Sequence, residues 1–112
     1  MSLSTQGATQ RDHLHPHELE PWLSRARVID VREPSEWSGD LGHLPEAELV
    51  PLASLAHAAR AWDRSETLIM VCRSGGRSGA AQRQLRSMGF TAVINLLGGM
   101  LAVNDAGLRV QR

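Results

Sequence analysis

The sequence predicts an α/β fold, with a parallel sheet of four or five strands and helices on both faces. Three observations carry that prediction. Short apolar or β-branched runs recur along the chain, and helical periodicities lie between them. The run Thr67-Leu68-Ile69-Met70-Val71 is continuously apolar after its opening threonine, as a strand covered on both faces must be. Strands separated by helix-length segments join through right-handed crossovers, which makes them parallel.

Residues 1–11 are polar and aperiodic and predict a flexible N-terminal tail, leaving 12–112 as one domain. His13-Leu14-His15 is a weak first strand. Leu19, Trp22 and Leu23 have helical spacing, although Pro21 falls inside that turn. Arg27-Val28-Ile29-Asp30-Val31 predicts a strand ending in charges, and Ala47-Glu48-Leu49-Val50 a weaker one. Leu52, Leu55, Ala59 and Trp62 form a second helical stripe. After the strand at 67–71, Ala81, Leu85 and Met88 form a third, with Gly89 where a left-handed C-terminal residue is expected. Ala92 to Leu97 predicts the last strand, closed by Gly98-Gly99.

Composition narrows the function. The chain has 112 residues, 42% of them apolar, enough for a core. Twelve basic and twelve acidic residues cancel, which argues against a polybasic nucleic-acid or membrane-surface protein. Every basic residue is Arg. No apolar run reaches the about 18–20 residues that span a bilayer, and no signal-peptide pattern opens the chain. One cysteine, Cys72, excludes an internal disulfide and fits a reducing compartment, so the expected location is cytoplasmic.

Cys72 follows the most apolar strand and precedes Arg73-Ser74-Gly75-Gly76-Arg77-Ser78. In open parallel sheets, ligands bind beyond the carboxyl ends of the strands. Two glycines allow N–H groups to converge into an anion nest, and the following helix adds its positive end. Arg73 and Arg77 add two permanent charges. This setting stabilises a thiolate. It therefore predicts a reactive nucleophile whose substrate or adduct is anionic. The alternative is a buried, inert strand cysteine, which a mid-strand position would have favoured.

The sequence here resembles the single-domain rhodaneses, the thiosulfate sulfurtransferases, from about residue 12 to 110. Cys72 to Ser78 matches the family's C-R-S-G-x-R-S loop, and Asp30-Val31-Arg32-Glu33 its D-V-R-E segment. Glu36-Trp37 and Gly42-His43-Leu44-Pro45-Glu46-Ala47 resemble E-[YFW]…G-H-I-P-G-A, and Asn95-Leu96-Leu97-Gly98-Gly99-Met100 resembles the closing N-L-x-G-G-I element.

The resemblance implies a rhodanese-like fold and ping-pong sulfur transfer without cofactor or metal. Cys72 would take the outer sulfur of thiosulfate, or of a persulfide or polysulfide, and pass it to cyanide, a cellular thiol or a protein. The N–H groups from Arg73 to Ser78 would hold the persulfide, and Arg73 and Arg77 the donor's oxyanion end. A non-enzymatic persulfide carrier docking to one protein is an alternative that also keeps Cys72. Phosphatases and arsenate reductases that resemble rhodaneses carry five residues between Cys and Arg, whereas Cys72 and Arg77 enclose four, which favours sulfur.

Asp30 and Arg32 are supporting candidates. They could order the Cys72 loop by charge-assisted hydrogen bonds, or, with Glu33, form an ion-pair cluster that only closes the sheet edge. His43 is implied to be a turn residue bonded to backbone. The alternating His13, His15 and His17 suggest a metal site, but Pro16 interrupts them and no carboxylate or thiol pair joins them. Trp22, Trp37 and Trp62 read as packing residues. Val103, Leu97 and Glu46 depart from the family's common residues at the rim, where an acceptor would meet the domain.

Overall fold

The computed structural model describes residues 11–112. The expected tail at 1–11 lies outside them except for Arg11, whose guanidinium pairs with Glu18 at 3.0 Å.

Five strands form one sheet: β1 (His13–Leu14), β2 (Arg27–Asp30), β3 (Ala47–Leu49), β4 (Thr67–Val71) and β5 (Ala92–Leu96), in the order β1-β5-β4-β2-β3. Every pairing is parallel, because each return passes through a crossover segment. β4 is central, with Ile69 opposite Val28 on one side and Ile94 on the other.

Alternation along β4 builds both cores. Leu68, Met70 and Cys72 face one side with Leu55, Ala59, Ala81, Leu85 and Phe90. Ile69 and Val71 face the other with Leu14, Leu44, Leu96, Met100 and Val103. Full burial of one such aliphatic side chain contributes about 1.5–3 kcal/mol.

The helices are α1 (Pro34–Trp37), α2 (Leu55–Ala59), α3 (Gly76–Ser87) and α4 (Gly99–Asp105). The second stripe becomes a 3-10 turn at Leu52–Ser54 running into α2, and the third becomes α3. Gly89 takes φ +101 after α3, as expected. The stripe at Leu19, Trp22 and Leu23 does not form an α-helix. It forms two 3-10 turns, Pro16–Glu18 and Glu20–Trp22, each with a proline in its first turn. Proline has no N–H to continue a ladder, so each turn starts afresh.

Two helices lack a readable periodicity. α1 is a single turn, with Pro34 in its first turn and a reciprocal Glu33–Glu36 capping box. α4 follows Gly98 and Gly99, both at positive φ. No helix among the described residues is long and apolar enough to cross a membrane.

Candidate active site

Cys72 stands immediately beyond β4 and is 1% exposed. Its Sγ accepts the Gly75 N–H at 3.0 Å and lies 3.3 Å from Ser78 Oγ. Gly75 makes this possible with φ +108 as the N-cap of α3. Only one of the two loop glycines uses the left-handed region, since Gly76 is already the first helical residue. The nest is therefore narrower than the sequence suggested.

Burial opposes charge on this sulfur. The Ser78 hydroxyl and the backbone N–H groups of Ser78, Gly75 and Ser74 outweigh it, so the thiol titrates below its ordinary value. Hydrogen bonds to the charged form favour that form, and the twelve-residue α3 points its N-terminus at the same place.

Carbonyls on the other side of the loop are equally occupied. Met100 N–H donates to Cys72 O at 2.9 Å, and Leu101 N–H to Arg73 O at 3.0 Å. These are orphan donors of the first turn of α4. Gly99 allows the approach: with φ +55, a Cβ there would strike Cys72 O and sit 2.6 Å from Arg73 O.

The two loop arginines differ. Arg73 is exposed and has no carboxylate partner among the described residues. Arg77 is gripped by Glu36, with Nη1–Oε1 2.7 Å and Nη2–Oε2 2.8 Å. Arg77, helped by the Glu33 N–H, pulls the Glu36 carboxyl down to about 2, so it is ionised at neutral pH. Two free guanidinium charges were expected, and one of them is neutralised.

Asp30 and Arg32 form a buried pair, with Arg32 Nη2 2.8 Å from Asp30 Oδ2 and exposures of 1% and 0%. Neither side chain hydrogen-bonds a residue of the Cys72 loop, so the pair does not order the loop by direct hydrogen bonds. Arg32 instead donates to Gly42 O at 2.7 Å and Glu36 O at 3.2 Å. The pair fixes the 36–42 segment that carries Glu36, and its link to Arg77 runs through that backbone.

A cavity of about 220 Å³ lies beside the loop, lined by Arg32, Glu36, Gly39, Asp40, Leu41 and Arg73. His43 Nδ1 lies 3.0 Å from Trp37 O, and its ring stacks on Trp37 at 3.6 Å. That makes His43 a structural residue bonded to backbone. His15 and His17 stack at 5.6 Å, and no cluster of three metal-binding side chains occurs among the described residues.

Two contributors escaped the sequence reading as site residues. Glu36 was visible only inside its motif. Asn95, the one polar residue of β5, accepts from Ser78 Oγ at 2.6 Å and donates to Gly75 O at 3.2 Å. A lone amide inside an apolar strand was the available signal.

A thiol at a strand terminus, ringed by N–H donors at a helix N-terminus on an α/β scaffold, is a geometry suited to a nucleophile and to anions. Residues 15–106 match the rhodanese-like domain, and the chain belongs to that family. It is 41% identical over 81 residues to the uncharacterised protein slr1261 of Synechocystis, covering 72% of this chain and 44% of that protein. It is 30% identical over 83 residues to a sulfurtransferase of Allochromatium vinosum, covering 74% and 76% of the two chains. Among solved structures it is similar to the human single-domain sulfurtransferase TSTD1, at 25% identity and TM-score 0.75, covering 83% and 95%. The chain spans less than half the length of the Synechocystis relative.

Proposed function

We propose that this domain is a sulfurtransferase working through a Cys72 persulfide. The observation that carries the reading is the Cys72 sulfur seated at the mouth of α3 with Gly75 N–H on it. The Cys72 thiolate attacks the sulfane sulfur of thiosulfate, or of a persulfide or polysulfide. A bond forms between Cys72 Sγ and that sulfur. The donor's S–S bond breaks, and its electron pair leaves with sulfite or a thiolate. An acceptor thiolate, protein thiol or cyanide then attacks the terminal sulfur and restores the Cys72 thiolate. Rate follows thiolate fraction, nucleophilicity and leaving group.

Arg73 offers the donor's oxyanion a free charge at the rim, while Arg77 contributes through its pair with Glu36. Because this domain has one cysteine, no second thiol within it can take the sulfur from the persulfide. A thiol that has to stay reduced suits the cytoplasm.

The test is intact mass after exposure to thiosulfate, followed by turnover with cyanide. One added sulfur on the wild type, absent in Cys72→Ser, together with steady-state thiocyanate, supports the enzyme. Stoichiometric sulfur without turnover makes the domain a carrier. Hydrolysis of an aryl phosphate that is lost in Cys72→Ser overturns the sulfur assignment.

A further inference from the structure

Ser78 Oγ has one proton and two neighbours that could accept it: Asn95 Oδ1 at 2.6 Å and Cys72 Sγ at 3.3 Å. The hydroxyl is fully buried, so no bulk water can satisfy the neighbour left without it.

The amide orientation decides between them. Gly75 O can only accept, and it lies 3.2 Å from one terminal atom of Asn95, which must therefore be the nitrogen. The amide oxygen then faces Ser78. Two oxygens 2.6 Å apart need a proton between them, and Asn95 Oδ1 has none to give. The Ser78 proton thus points to Asn95, and the Ser78 lone pairs point to sulfur.

We infer that Asn95 is a positioning residue that retains the Ser78 hydroxyl proton, so that Ser78 meets the Cys72 sulfur as an acceptor. In the thiol state Ser78 accepts the S–H. In the thiolate state it donates to sulfur only by giving up a short bond to Asn95. Of the groups that favour the thiolate, the backbone N–H groups do so outright, whereas the Ser78 hydroxyl does so only at the expense of its bond to Asn95, and Asn95 thereby limits how far the stabilisation goes. Thiol exchange gains from that limit, because nucleophilicity falls with basicity and the best attacking thiol titrates near ambient pH.

The charged groups around the sulfur are few. Arg77 on α3 interacts with Cys72 and with Asp30 of β2, Asp30 is paired with Arg32, and Arg77 is paired with Glu36 of α1. Arg73 is the neighbouring residue in the loop. Gly99–Asn104 of α4 has no ionisable side chain, and β5 presents Asn95.

This inference rests on Cys72 being the nucleophile, but its test needs no sulfur donor. The pH dependence of Cys72 alkylation by iodoacetamide, followed by intact mass, gives the titration midpoint in wild type, Asn95→Ala, Ser78→Ala and the double variant. A hydrogen bond newly given to a thiolate lowers the midpoint by about one pH unit. Asn95→Ala is expected to lower it by that amount, Ser78→Ala to leave it in place or slightly lower, and the double variant to match Ser78→Ala. A rise in Ser78→Ala means that the proton already sits on sulfur and overturns the inference, even if Asn95→Ala fails to fold. An unshifted Asn95→Ala, or a fall that persists in the double variant, also overturns it. Failure of sulfur transfer with these midpoints intact would count against the proposed function alone.

Discussion

Glu36 holds Arg77 in a two-point grip across 41 residues of sequence, oxygen to nitrogen at 2.7 and 2.8 Å. This contact ties the segment after β2 to the first turn of α3, beside the sulfur. It also sets how much positive charge the rim can offer a donor.

Releasing that grip tests whether Arg77 binds donor. Glu36→Gln frees the guanidinium, and the KM for thiosulfate should fall roughly two- to five-fold, the range of a part-exposed ion pair. Polysulfide, with less oxyanion to bind, should change less. Arg77→Ala should move thiosulfate in the opposite direction and again affect it more than polysulfide. Losses in both variants, equal for both donors, would make the pair purely architectural.

The same pair predicts an acid limb of stability. An unperturbed glutamate titrates at 4.5, and Arg77 lowers Glu36 in the fold to about 2. A depressed folded value stabilises fully above the unfolded one and is lost as pH falls toward the folded one. Urea titrations across that window should show the wild type losing more stability on acidification than Glu36→Gln. Parallel curves would remove the linkage.

Arg32 makes the buried charge of Asp30 tolerable. Arg32→Met should cost about 3–5 kcal/mol, because it leaves an uncompensated buried carboxylate. Asp30→Leu combined with Arg32→Met should recover part of that loss. A double variant less stable than Arg32→Met alone would show that the bonds to Gly42 O and Glu36 O, not the charge balance, dominate.

Gly99 is predicted to be irreplaceable by alanine. The left-handed backbone alone costs an L-residue about 1–2 kcal/mol, and the added methyl meets Cys72 O and Arg73 O. Gly99→Ala should lower the unfolding midpoint in urea and also slow Cys72 alkylation at neutral pH, because the loop must shift. Gly107→Ala is the control, since its φ is also positive but nothing lies within 4 Å of its Cβ. It should lose stability and leave alkylation unchanged.

Features that depend on neighbours in the chain were readable before the fold was known. Leu68–Val71 is uniformly apolar because β4 is central and covered on both faces. Gly89 marks the end of α3 because a left-handed residue is needed there. Cys72 could be placed at a strand terminus from its flanks. Contacts between distant segments were less legible. Nothing near Arg77 announces that Glu36 neutralises it, and nothing near Asp30 says that Arg32 turns back toward Gly42. α4 was hidden because Gly98-Gly99 reads as a stop, whereas here the glycines admit the helix against the Cys72 loop. The Leu19–Leu23 stripe misled because hydrophobic spacing says where side chains face, not whether prolines permit a ladder.

The hydrogen bond from Met100 N–H to Cys72 O also bears on the order of assembly during synthesis. β4 and the thiol leave the ribosome before β5 and α4, and parallel strands cannot pair locally as a hairpin can. Asn95 comes into place beside Ser78 only when β5 pairs with β4, and the Cys72 carbonyl gains its donor only when the segment Gly99–Asp105 follows. The loop around the thiol is therefore complete only once β5 has paired with β4 and α4 has docked.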